Sequence, residues 1–194
     1  ASYRGRRLGS LGDAGCFSLQ FNKIITAGEG GMVATSDEDI WKRALIYHDV
    51  GAASRNHIPE EENCWGINLR MPELLGAVMR VQLRRLEGLL AAMRAQKAML
   101  HSGIQDIAQK KGIRFQDIPD PEGDAAVAFV FFMDTPELAD RIAEALRAEN
   151  LTIWRLYQRD KVDYHVYRFW TPVLNKATWS TNGGSWNWAK RPVE

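Results

Sequence analysis

Phe17-Ser18-Leu19-Gln20-Phe21-Asn22-Lys23-Ile24-Ile25-Thr26-Ala27-Gly28-Glu29-Gly30-Gly31-Met32-Val33 places one lysine between a short apolar run and a glycine turn. Cys16 to Gln20 reads as a strand, Gly28 to Gly31 as a tight turn and Met32 to Thr35 as the returning strand. A lysine held in a partly dry pocket has its ammonium form disfavoured and becomes a nucleophile toward an aldehyde. The Ser18 hydroxyl and the backbone N–H groups of the turn are of the kind that hold a phosphate. The turn is not the Gly-x4-Gly-Lys-Ser/Thr of a nucleotide P-loop, and such turns are common. On these residues alone, Lys23 can be either a reactive amine or a solvated surface group.

Upstream of this stretch, Gly5, Gly9, Gly12 and Gly15 make residues 1–15 rich in turns. Downstream, Ser36-Asp37-Glu38-Asp39 has the form of a capping box and predicts a helix from Ser36 to about His48, ending at Gly51. Residues 52–65 have no period and many polar groups, which predicts a loop. Pro72 suits the first position of a helix. From there Leu75, Met79, Leu83, Leu86, Leu90 and Met93 recur at helical spacing, so a long amphipathic helix is expected, running to Ile107 or beyond and punctuated by Gly112.

The third part of the chain predicts a strand–helix–strand. Ala125 to Met133 is a continuous apolar run of the kind found in strands buried on both faces. Thr135-Pro136 caps and starts a helix with Leu138, Ile142 and Leu146 on one face, and Leu151 to Tyr157 reads as a strand. Residues 164–188 hold Trp170, Trp179, Trp186 and Trp188 with little periodicity, and read as a long ordered loop or lid.

Lys+Arg is 25 against Asp+Glu 24 over 194 residues, so no global field favours nucleic acid or an anionic membrane. Cys16 and Cys64 lie far apart without metal-ligand spacing, so no metal site or disulfide framework is expected, and a cytoplasmic setting is natural. No stretch reaches the roughly 18–20 apolar residues of a membrane span. The glycine-rich opening without an initiator Met, and the ending Asn187-Trp188-Ala189-Lys190-Arg191-Pro192-Val193-Glu194, suggest a chain truncated at both ends.

Two linked stretches resemble the DegT/DnrJ/EryC1/StrS sugar aminotransferases, enzymes of fold type I that use pyridoxal 5'-phosphate (PLP). The first is Ala1-Ser2-Tyr3-Arg4-Gly5, Gly12-Asp13, Phe17-Ser18, Lys23 and Gly28-Glu29-Gly30-Gly31; the second is Gly66-Ile67-Asn68-Leu69-Arg70-Met71 with Gln82-Leu83. The resemblance is firm over residues 1–95 and thins after about 125. It implies an α/β fold: residues 1–71 as the end of the large PLP-binding domain, 72–111 as a long connecting helix and 112–194 as a small, incomplete α/β C-terminal domain.

It also implies site residues. Lys23 is the lysine that binds PLP as a Schiff base and then moves a proton as base and acid; Ser18 hydrogen-bonds the cofactor phosphate; Asn68 reaches that phosphate in the neighbouring subunit of a homodimer. The implied reaction moves an amino group from glutamate or glutamine to a keto-sugar nucleotide or keto-cyclitol. In the family an acid facing the pyridine nitrogen lies upstream of the position of Ala1, so this chain alone is expected to be inactive. A non-catalytic PLP- or sugar-binding regulator is the competing reading. A sugar dehydratase is disfavoured, because that subgroup has histidine where Lys23 stands. Glu29 reads as structural and His48 as a helix end. The arginines of the 72–107 helix read as a solvated face, and Arg155 with His165 as a candidate anion contact.

Overall fold

The computed structural model describes residues 1–178 apart from 157, 159 and 160. The chain divides into two compact units, Ala1–Phe132 and Met133–Glu194.

In the first unit, β1 (Ser2–Tyr3) and β2 (Arg6–Arg7) form a small antiparallel ribbon. It is fastened to a later turn by bonds from Ser2 N–H to Gly123 O (2.9 Å) and from Arg4 N–H to Asp120 Oδ2 (2.6 Å). Strands β3 (Ala14–Ser18) and β4 (Gly31–Thr35) then pair antiparallel, in register from Ala14 opposite Thr35 to Ser18 opposite Gly31. The expected pair is present, but β3 is displaced from the expected Cys16–Gln20. It stops at Ser18 because Leu19 and Gln20 turn inward to close the loop that follows.

Helix α1 (Glu38–His48) begins one residue later than the capping-box reading predicted. Asp37, not Ser36, is the cap: its Oδ1 accepts from Ile40 N–H at 2.9 Å, while Asp37 N–H donates to Thr35 Oγ1 at 3.0 Å. The shift puts Ile40 where a box needs Glu or Gln, so no box forms, and the cap carboxylate with Glu38 and Asp39 complements the helix dipole instead. His48 ends the helix as expected, its Nδ1 2.7 Å from Leu45 O. The stretch predicted as loop contains a single helical turn, α2 (Ala52–Arg55), and a 3-10 turn at Glu60–Glu62. Ala52 and Ala53 are good helix formers and both are buried, but four residues are too few to show a period.

Helix α3 (Glu73–Lys111) runs 39 residues, with Pro72 as its N-cap and Gly112 in the left-handed region (φ +67°) closing its end. Its covered side runs through Leu75, Met79, Gln82, Leu86, Leu90 and Met93, and Leu90 is only 3% exposed. Leu83, predicted for that side, is 59% exposed. Steps of four or three residues from Met79 satisfy the 3.6 period equally well, and the polar Gln82 took the inner place.

Ala125 to Met133 does not form one continuous strand. Only β6 (Phe131–Phe132) pairs, antiparallel with β5 (Arg114–Phe115), and Gln116 N–H adds a bond to Val130 O at 3.0 Å. A run reads as a buried strand only if strands stand on either side of it, and here one short partner is present.

In the second unit, α4 (Pro136–Ala148) is capped by Thr135 as predicted, with Oγ1 accepting from Leu138 N–H at 3.2 Å. Its covered side holds Ile142, Ala143 and Leu146, whereas Leu138 is exposed. Residues 151–156, predicted as strand, have no strand partner. Arg147 Nη2 instead donates to Ile153 O at 3.1 Å and Arg155 Nη1 to Pro136 O at 3.1 Å, so side chains tie this segment to α4. Tyr167–Phe169 is a 3-10 turn and α5 (Thr171–Leu174) one helical turn, where a loop was expected. Trp179, Trp186 and Trp188 lie outside the described residues. Among the described residues no helix is long and apolar enough to cross a membrane.

Candidate functional site

The loop between β3 and β4 is built by its own backbone. Leu19 N–H donates to Gly30 O (2.9 Å) and Ala27 N–H to Leu19 O (3.0 Å), so Leu19 holds both ends of the loop together. Thr26 Oγ1 donates to Leu19 O (2.9 Å) and accepts from Gly28 N–H (2.8 Å). Leu19 and Ala27 are buried beneath it. This frame holds Lys23 on an exposed turn whose N–H donates to Gln20 O at 3.0 Å.

Ser18 ends β3, and its Oγ accepts from Gln20 N–H at 3.5 Å, a long contact that leaves its own proton uncommitted. Ser18 and Lys23 therefore share one short loop, joined through Gln20. Among the described residues the Lys23 amine makes no ion pair and no hydrogen bond.

The second stretch reaches the same place from the other side. Ile67 N–H donates to Tyr47 O and Leu69 N–H to His48 O, each at 2.8 Å, so residues 66–69 lie along the end of α1. This approach is so close that a Cβ on Gly66 would stand 2.4 Å from Tyr47 O, and no side chain fits there. At the far end of the stretch, Met71 Cε would be 2.8 Å from a Cβ on Gly30, whose φ is +142°. The two glycine-bearing stretches, separated in sequence, thus pack against each other at Gly30 and Met71. Asn68 is not a helix cap, since Pro72 caps α3; it is exposed, and among the described residues it makes no hydrogen bond to Ser18 or Lys23.

Asn68 Oδ1 accepts from Arg70 N–H (3.2 Å) and from Arg70 Nε–H (3.1 Å). Arg70 Nη1 stands 3.8 Å from Asp49 Oδ1, and the same carboxylate binds Arg55 and accepts from Gly51 N–H at 3.1 Å. The Asp49 carboxyl is held below its usual range. The Arg55 hydrogen bond is the main cause, helped by Gly51 N–H and the charges of Arg55 and Arg70, and these outweigh the opposing effect of burial. This Asp49–Arg70–Asn68 chain was not anticipated. The signal available was the Arg70 of the quoted stretch, two residues from Asn68 and therefore able to fold back on it.

A separate cavity of about 540 Å³ lies between α3 and residues 115–130, lined by Arg94, Lys97, His101, Phe115, Phe129 and Val130 among others. None of Ser18, Lys23 and Asn68 lines it. Arg94 Nε–H donates to Asp124 O and Lys97 Nζ to Asp124 Oδ2, both at 2.7 Å. Burial pushes the Asp124 carboxyl up, but the Lys97 and Ala126 N–H hydrogen bonds and the nearby charges carry it below its usual range. Arg94 therefore departs from the solvated face predicted for the helix arginines. Arg155 is ion-paired to Asp140, and His165 Nδ1 lies 2.8 Å from Asp163 Oδ1. Among the described residues no group of His, Cys, Asp and Glu could hold a metal ion.

A family model described as the DegT/DnrJ/EryC1/StrS aminotransferase family matches residues 1–182. The chain belongs to that family. It is 30% identical over 163 residues to an L-glutamine:2-deoxy-scyllo-inosose aminotransferase of Streptoalloteichus tenebrarius, covering 77% of this chain and 37% of the relative. Among solved structures, an aminotransferase from Streptoalloteichus hindustanus superposes with a TM-score of 0.59 at 26% identity, over 75% of this chain and 38% of that one. An E. coli GDP-4-keto-6-deoxy-D-mannose-3-dehydratase, solved with bound hydrated PLP, shares the fold with a TM-score of 0.63 at 22% identity, over 78% of this chain and 42% of that one. The family thus carries the α/β fold expected from the sequence, and the chain spans less than half the length of the curated relatives it matches.

Proposed function

We infer that this chain is part of a PLP-dependent aminotransferase that moves an amino group from glutamate or glutamine to a keto-sugar nucleotide or keto-cyclitol, and that the chain alone is inactive. The observation that carries this reading is the uncommitted Lys23 amine on a backbone-built loop that also presents the Ser18 hydroxyl, in a chain of this family. The relative's glutamine donor and cyclitol acceptor support the choice of substrates. Lysine at position 23, where the dehydratase subgroup has histidine, favours amino transfer over dehydration.

The donor set suits PLP. An aldehyde needs an amine, which Lys23 offers, and a phosphate needs donors, which the Ser18 hydroxyl and the Asn68 NH2 group offer. When bound, PLP supplies the electron sink for removal of the donor's α-proton. Lys23 then has two tasks: its amine holds the cofactor in the resting site, and once released it takes the α-proton as base and returns it as acid. Ser18, with Asn68 of the neighbouring subunit, would hold the phosphate and so orient the cofactor toward Lys23.

Asn68 makes no hydrogen bond to Ser18 or Lys23 among the described residues, which supports a site completed across a homodimer. Leu74, Val78 and Val81 form an exposed apolar stripe on α3 and Trp65 is 91% exposed, surfaces of the kind a second chain covers. In this reading residues 1–71 close the large domain, 72–111 connect, and 112–194 belong to the small domain. Cys16 and Cys64 are free and exposed, which suits a reducing cytoplasm.

The test is amino transfer from 15N-glutamine, labelled on its α-amino group, to 2-deoxy-scyllo-inosose or a GDP-linked 4-keto sugar, with PLP added, followed by mass spectrometry. The reading predicts 15N in the acceptor with the protein expressed from the full open reading frame and, for Lys23→Ala, a rate lower by a factor on the order of 10² or more. Cofactor binding without transfer to any keto acceptor would favour the non-catalytic relative.

A further inference from the structure

The hydrogen bonds around Asn68 decide which end of its carboxamide faces outward. Both groups that meet Oδ1, the Arg70 backbone N–H at 3.2 Å and the Arg70 Nε–H at 3.1 Å, can only donate. Turning the amide over would set its NH2 group against two donors and lose both bonds, so the two Arg70 donors fix the orientation. Among the described residues the Nδ2 group has no partner within the chain. The Arg70 guanidinium is steadied in turn by Asp49, whose carboxylate lies 3.8 Å from Nη1, is also bound by Arg55, and accepts from Gly51 N–H. The Asp49 side chain is 12% exposed while Arg70 and Arg55 are 55% and 56% exposed, so the anion is the sheltered centre of the group.

We propose that Arg70, braced by Asp49, is a positioning residue that locks the Asn68 carboxamide with its NH2 group outward, so that Asn68 always meets an incoming phosphate as a donor. A free carboxamide presents its carbonyl oxygen as readily as its NH2 group, and an oxygen facing a phosphate repels it. The lock removes that wrong orientation before binding. Arg70 contributes through Asn68 and need not touch the phosphate. The inference rests on the reading of Asn68 as a phosphate ligand.

The test uses intact protein labelled with 15N-asparagine, with the Asn68 side-chain NH2 signal assigned by its loss in Asn68→Ala. Arg70→Met removes the Nε–H donor, Arg70→Lys keeps the charge without the planar fork, Asp49→Asn removes the brace, and Arg84→Met on exposed α3 is the control. The lock predicts that Arg70→Met and, less strongly, Asp49→Asn move the Asn68 NH2 signal toward that of a free carboxamide. Affinity for PLP should fall about tenfold in Arg70→Met. Arg70→Lys should restore little of either, and Arg84→Met should change neither. An unmoved Asn68 signal in correctly folded Arg70→Met overturns the lock, whatever happens to affinity. A moved signal with unchanged PLP affinity in both Arg70→Met and Asn68→Ala overturns the phosphate role of Asn68, and the proposal with it.

Discussion

The site-bearing stretch, residues 14–71, and the apolar stretch, residues 114–132, meet their structural requirements in opposite ways. In the first, the backbone satisfies itself: Leu19 exchanges bonds with Ala27 and Gly30, residues 67 and 69 bond to the end of α1, and glycines stand where no Cβ fits. In the second, the strands pair over two residues with one further backbone bond from Gln116 to Val130, and side chains do the packing. Phe115 and Phe129 lie 5.3 Å apart between ring centroids, and His101 lies 4.7 Å from Phe115. Lys23 and Ser18, the proposed site residues, are therefore carried by the part whose shape is set by main-chain bonds and close contacts. The part built on rings tolerates adjustment and leaves a cavity.

Substitutions that add or remove carbon sharpen this contrast most. Gly66→Ala puts a methyl group 2.4 Å from Tyr47 O and is expected to cost about 3 kcal/mol, the upper end for overpacking. Phe129→Ala removes a half-buried ring from a region with room to relax and is expected to cost about 2 kcal/mol, below the figure for fully buried rings. Urea unfolding followed by tryptophan fluorescence gives both values, and a larger loss for Phe129→Ala would break the contrast. A smaller effect is expected at the helix that buttresses the site. Asp37→Ala removes the bond to Ile40 N–H and should cost about 1 kcal/mol, whereas Ser36→Ala should be neutral to within about 0.5 kcal/mol. Equal effects at the two positions would contradict the observed cap.

What the sequence made legible follows the same division. The paired strands around Gly28–Gly31, the long helix between Pro72 and Gly112, and the Thr135 cap rest on local chemistry, and local chemistry is written in short stretches. The errors concern choices between near-equal local options or partners distant in sequence. Ser36 and Asp37 are both good caps, and Thr35 Oγ1 settles the choice by bonding Asp37 N–H. Leu83 and Gln82 both continue the helical period, and packing chose Gln82. Ala125 to Met133 and residues 151–156 have strand composition, but a strand needs neighbours that its own residues do not name.

In the proposed site, Lys23, Ser18 and Asn68 are named by two recognisable stretches. The packing of Gly30 on Met71 and the Asp49–Arg70–Asn68 chain are not, because each joins residues that no local pattern links. The proposed shared site would draw on two segments. Ser18 and Lys23 lie together on one loop, and Asn68 lies on another segment, its NH2 group without a hydrogen-bond partner among the described residues.

The most direct test of Lys23 as the cofactor lysine is reduction of the PLP-treated intact protein with borohydride, followed by peptide mapping by mass spectrometry. The account predicts a single pyridoxyl group, on Lys23, that disappears in Lys23→Ala. No label, or label scattered over surface lysines and unchanged by the substitution, would contradict it.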